Sequence, residues 1–97
     1  MFRLTVESQF SAAHQIRGHA GLSGRVHGHN YRVIVHVAGE TLNELGMLID
    51  YTVLKDAVTC VTGQFEHECL NDVPALHPKQ PTSEVLAQRI FQLVQQE

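Results

Sequence analysis

At 97 residues the chain is sized for one small domain. A hydrophobic share of 43% without low-complexity runs fits a folded globular protein, and a net charge of −3 without basic clusters argues against a nucleic-acid surface. No apolar run approaches the roughly 20 residues of a membrane span, no signal-peptide pattern precedes Phe2, and two cysteines outside a Cys-x-x-Cys pair favour a reduced, cytoplasmic setting over a disulfide scaffold.

Phe2 to Phe10 alternates, with Phe2, Leu4, Val6, Ser8 and Phe10 on one side and Arg3, Thr5, Glu7 and Gln9 on the other. A period of two predicts a half-buried strand, with His14 just past its end. Residues 15–26 read as loop, with glycines at 18, 21 and 24. A second strand is expected over roughly Asn30 to Ala38, where Tyr31, Val33, Val35 and Val37 alternate with Arg32, Ile34 and His36. Gly39 to Gly46 reads as a polar turn and Met47-Leu48-Ile49 as a short extended piece. Asp50 suits the N-cap of a helix with Val53, Leu54, Ala57, Val58 and Val61 as its stripe and Gly63 as its stop. Residues 64–81, broken by Pro74, Pro78 and Pro81, are expected to be irregular. Thr82 then caps a last helix, with Glu84 in its positive first turn and Val85, Leu86, Ile90, Leu93 and Val94 as its apolar face. Two strands alone are marginal in water, so either further strands or another subunit is expected to complete the sheet.

Seven histidines ask for a metal or proton-transfer reading. His27 and His29 stand two apart at the head of the second strand, so both rings project from one face. An antiparallel pairing brings His14 to the same edge, giving three nitrogens and an open fourth position, as in a catalytic metal site. Glu66-His67 is the second candidate, because a carboxylate beside an imidazole orients it and raises its basicity. Thr82-Ser83 reads first as a helix cap, with hydroxyls and amides that suit a polar ring as well. His19, His36 and His77 read as solvated, Cys60 as packing, and Cys69 as a thiol near Glu66-His67.

The runs Phe10-Ser11-Ala12-Ala13-His14 and Gly24-Arg25-Val26-His27-Gly28-His29-Asn30-Tyr31 resemble the 6-pyruvoyl-tetrahydropterin synthase and 6-carboxytetrahydropterin synthase family. Met47-Leu48-Ile49-Asp50-Tyr51, Glu66-His67, Leu70-Asn71-Asp72 and Pro81-Thr82-Ser83-Glu84 match further stations in order, with the short loops and Leu70-Asn71-Asp72 closer to the carboxy branch. The resemblance implies an α+β tunnelling (T-) fold over residues 1–97: an antiparallel sheet with two helices packed on one face, here short of the last two strands. It implies Zn2+ on His14, His27 and His29, and a homo-oligomer, trimer or hexamer, with active sites at interfaces. It also implies lysis of 7,8-dihydroneopterin triphosphate, with triphosphate and acetaldehyde released, in queuosine (7-deazaguanine) biosynthesis. His67 and Glu66 align with the family's acid–histidine pair, and Thr82 and Ser83 with its grip on the pterin ring.

Two positions depart from that pattern. Ser23 stands where the family has a catalytic cysteine, four residues before the His-x-His pair. An alkyl hydroxyl is a far weaker acid than a thiol of pKa about 8.5, and each pKa unit is worth about 1.36 kcal/mol. The family also continues past the second helix with two strands, the last bearing a glutamate that anchors the pterin. The resemblance thus leaves three readings: the 6-carboxy synthase, a catalytically impaired zinc- and pterin-binding relative, or a 6-pyruvoyl-type enzyme.

Overall fold

A computed structural model of the chain describes residues 1–19, 21 and 24–96. Strand β1 (Phe2–His14) and strand β2 (His27–Gly39) pair antiparallel throughout, from Phe2 opposite Gly39 to His14 opposite His27. Both run past the bounds that alternation alone predicts, because each backbone supplies the other with partners to the end of the ribbon. His14, His27 and His29 therefore sit inside the ladder rather than in flanking loop.

Met47-Leu48-Ile49 is not the extended piece expected: it adopts bends and joins no strand. The cause is Asn43, whose Oδ1 accepts from Leu45 N at 2.9 Å and Met47 N at 3.0 Å, folding the segment on itself. Helix α1 (Tyr51–Gly63) starts at the Asp50 cap, whose carboxylate accepts from Thr52 N at 2.9 Å. Leu54, Val58 and Val61 form its buried stripe, while Val53, one position round the helix, is exposed. Cys60 is exposed too, so the packing role expected for it does not hold. The stretch before the last helix contains two single 3₁₀ turns, Leu70–Asp72 and Pro74–Leu76, which bury Leu70 and Leu76. Helix α2 (Ser83–Gln96) follows Thr82, whose Oγ1 accepts from Val85 N at 3.1 Å.

Both helices lie over the face of the ribbon that carries Val6, Phe10, Ala12 and His14. Phe10 and Ala12 pack with Val61, Phe65, Leu70, Leu76, Leu86 and Ile90, and Val6 with Leu54 and Val58. On β2 the same face is only half-buried at Tyr31, Val33, Val35 and Val37. These residues and α2 line an apolar groove of about 1010 Å³, with Phe91 left 63% exposed at α2.

Phe65 is fully buried, so Phe65→Ala is expected to cost about 3–5 kcal/mol in urea unfolding. Asp50→Ala is expected to cost about 1 kcal/mol. Val53→Ala should stay within about 0.5 kcal/mol, and a larger loss there would contradict its placement off the core stripe.

Candidate active site

The register makes the first cluster. His14, the last residue of β1, is the cross-strand partner of His27, the first of β2, and His29 lies opposite Ala12 on the same face. Ring centroids are 4.6 Å apart for His14–His27 and His27–His29, and 5.2 Å for His14–His29. One ligand atom from each ring lies within 4.8 Å of the other two. Burial falls across the cluster: His14 is buried, His27 half-buried and His29 exposed, so the cluster opens outward at His29.

Backbone carbonyls fix two of the rings. His14 Nδ1 lies 2.6 Å from Pro81 O and His27 Nδ1 lies 2.7 Å from Arg25 O. A carbonyl only accepts, so each Nδ1 carries the hydrogen, and each Nε2 presents a lone pair when the ring is neutral. The two Nε2 atoms face each other at 3.1 Å. Two lone pairs at that distance repel, and a shared cation turns the repulsion into attraction. Metal–nitrogen bonds of about 2.0–2.1 Å in a tetrahedron place neighbouring ligand nitrogens roughly 3.3 Å apart, close to this separation. The donor set therefore fits a divalent ion held by His14, His27 and His29 with a fourth position free. The pKa of His29 is lowered from its ordinary 6.5, first by desolvation and then by the charges of His27 and His14. That favours the neutral, ligating form.

The second cluster sits on the other edge of β1. Residues 66–69 run beside it through a parallel bridge between Ala13 and Cys69, with Ala13 N donating to Glu68 O at 3.0 Å. His67 takes a left-handed backbone, φ 58°, a conformation of order 1 kcal/mol or more above the usual regions for a residue with a Cβ. It is held there by His67 N donating to Ser11 O at 2.6 Å. Glu66 Oε1 accepts from Ser11 N at 3.2 Å and lies 3.1 Å from His67 Nε2. The carboxylate thus stays beside an imidazole that is 82% exposed.

His67 lines a shallow cleft of about 510 Å³ with Ser11, Ala13, Gly28, His29, Asn30 and Cys69. Ser11, Ala13, Gly28 and Asn30 alternate with the triad positions, so they belong to the face of the ribbon away from the helices. Thr82 and Ser83 do not line this cleft: Thr82 caps α2, and Ser83 lies at the rim of the apolar groove. Ser23 falls outside the described residues. Two groups had no role in the expected site: Asn30, whose Oδ1 accepts from Ser11 Oγ at 2.6 Å beside the cleft, and Pro81, which acts through its carbonyl. The alternation that placed His29 inward could have found Asn30 outward. A backbone carbonyl leaves no sequence signal.

A family model described as 6-pyruvoyl tetrahydropterin synthase matches residues 3–97. The chain belongs to this family. It is 40% identical over 99 residues to a Bacillus subtilis protein named 6-carboxy-5,6,7,8-tetrahydropterin synthase, an alignment covering 97% of this chain and 66% of that one. A Synechocystis sp. protein of the same name is 40% identical over 96 residues, covering 94% of this chain and 73% of its own. The solved structure of Caenorhabditis elegans 6-pyruvoyl tetrahydropterin synthase superposes with a TM-score of 0.83 at 29% identity, covering 99% of this chain and 79% of that chain. The T-fold of the family is therefore the fold of this chain, which spans about two thirds to four fifths of these relatives.

His27→Ala is expected to lower the affinity for a divalent metal ion by more than about a hundredfold, measured by competition with a chromophoric chelator. With His29 depressed, the unfolded chain binds more protons than the folded one below pH 6.5. The metal-free protein should therefore lose stability as pH falls through that range, and His29→Gln should flatten the slope in unfolding curves.

Proposed function

We propose that this chain is a zinc-dependent 6-carboxy-5,6,7,8-tetrahydropterin synthase, releasing triphosphate and acetaldehyde from 7,8-dihydroneopterin triphosphate in the cytoplasmic biosynthesis of queuosine. One observation carries the reading: the Nε2 atoms of His14 and His27 converge at 3.1 Å, beside His29, in a chain 40% identical over nearly its whole length to relatives bearing that name.

Zinc held by the three imidazoles would act as a Lewis acid toward the hydroxyls of the substrate side chain. The proton work belongs to His67. With Nε2–H directed at Glu66 Oε1, its Nδ1 is the free base, and the adjacent carboxylate stabilises the imidazolium formed when that nitrogen takes a proton. The exposure of His67 suits a base that meets a substrate arriving from outside the chain. Thr82 and Ser83, at the start of α2, are assigned to the pterin ring. Ser23 is too weak an acid to share the proton load as a thiol would, which concentrates that load on His67.

A homo-oligomer with sites at its interfaces draws on the family resemblance; within this chain His29 of the triad and His67 line one cleft. A second reading, a zinc- and pterin-binding relative without turnover, draws on Ser23.

Zinc-loaded protein incubated with 7,8-dihydroneopterin triphosphate is expected to release triphosphate and acetaldehyde, and His67→Ala to slow release by roughly 10²–10⁴-fold. Ser23→Cys should raise the rate. Unchanged substrate beside bound zinc supports the second reading, and triphosphate release without acetaldehyde points to the 6-pyruvoyl type.

A further inference from the structure

The backbone of β1 does not lose its partners where the strand ends. Gln15 N donates to Asn71 Oδ1 at 2.8 Å, and Gln15 O accepts from Asn71 Nδ2 at 2.9 Å. Two residues on, Arg17 N donates to Gln80 Oε1 at 3.1 Å, and Arg17 O accepts from Gln80 Nε2 at 2.5 Å. A side-chain carboxamide offers a donor and an acceptor side by side, so each of these side chains replaces a neighbouring strand at one residue. The spacing of two is that of successive rungs on one edge of a strand.

Pro81 follows Gln80 directly, and its carbonyl is the partner of His14 Nδ1. On its other side Thr82 is fixed as the start of α2, its carbonyl accepting from Leu86 N at 2.9 Å and its Oγ1 from Val85 N at 3.1 Å. The carbonyl that orients His14 thus lies between a carboxamide rung and a helix cap. Asn71 is itself tethered, its carbonyl accepting from His77 Nε2 at 2.7 Å. Both rungs fall within three residues of His14 on one side of the contact, and on the segment delivering Pro81 on the other.

We infer that Asn71 and Gln80 are positioning residues for His14: their carboxamides dock residues 71–81 along Gln15–Arg17, so that the Pro81 carbonyl holds His14 in its Nδ1–H tautomer with Nε2 directed at the metal position. The inference rests on the metal reading above for its functional meaning, but its structural content is separate. His27 takes its orientation from Arg25 O on a different segment, so the effect is confined to one of the three rings.

The test uses Gln80→Ala, Asn71→Ala and Gln80→Glu in the full chain. Gln80→Glu keeps the acceptor for Arg17 N and loses the donor. Long-range ¹H–¹⁵N correlation spectra of metal-free protein, above the pH where the imidazoles titrate, report the tautomer of each ring. Chelator competition reports Zn2+ affinity, and urea unfolding reports stability. The expected result for Gln80→Ala is a mixed tautomer at His14 with His27 unchanged, and about a 10–100-fold loss of affinity, the range known for partners outside the ligand set. Asn71→Ala should shift both in the same direction, and Gln80→Glu should fall between wild type and Gln80→Ala. If either alanine variant fails to fold, Gln80→Glu alone decides by the same two readings. A His14 ring that stays Nδ1–H with unaltered affinity, whatever happens to stability, overturns the inference, as do equal changes at His14 and His27. Wild-type protein that binds no Zn2+ would sink the metal reading instead, and the His14 tautomer would still settle the positioning role.

Discussion

The antiparallel register that sets His14 opposite His27 is the constraint on which the rest depends. Because side chains alternate along a strand, a slip of one residue would turn His27 and His29 to the other face of the ribbon while His14 stayed behind. The register is not set by the histidines. It is set further along, where Val6, Phe10 and Ala12 are buried under the helices while Glu7 and Gln9 face solvent. The same slip would strand β2's Tyr31, which stacks on Phe10 at 4.9 Å, on the polar side. Burial of apolar surface in the middle of the ribbon thus fixes ligand geometry at its end, because the slip would turn the half-buried Tyr31, Val33, Val35 and Val37 away from the helices.

What could be read from the sequence follows from which interactions have a period. The two strands, the paired imidazoles at 27 and 29 and most of the α1 stripe come from regular spacing and are found in place, Val53 excepted, while the Asp50 cap comes from its residue type just before the stripe. Residues 64–81 have no period, and their conformation is decided by particular hydrogen bonds: Ser11 backbone to Glu66 and His67, Ala13 to Glu68, Asn71 to Gln15, Gln80 to Arg17. Nothing in a proline-broken stretch announces that its amides will serve as strand partners. Asn43 misled for a related reason, since a single side chain accepting two amides overrode the extended tendency of Met47-Leu48-Ile49.

The helices cover β1 closely but leave β2's apolar face half-exposed beside a groove that Phe91 helps to line. A two-stranded ribbon of this length is weak on its own, so cover for that face would add directly to stability. The C. elegans structure, of which this chain spans 79%, holds the same elements within a longer polypeptide.

Strand β1 links the two chemical groups of the proposed reaction and at the same time keeps them apart. Ser11 anchors the Glu66-His67 pair through its backbone, and His14 carries the first imidazole of the triad, three residues later. Three residues of strand span roughly 10 Å, which sets the spacing of the two anchors along β1. Even so, His29 of the triad and His67 both line the cleft beside β1, so a molecule bound there meets members of both groups.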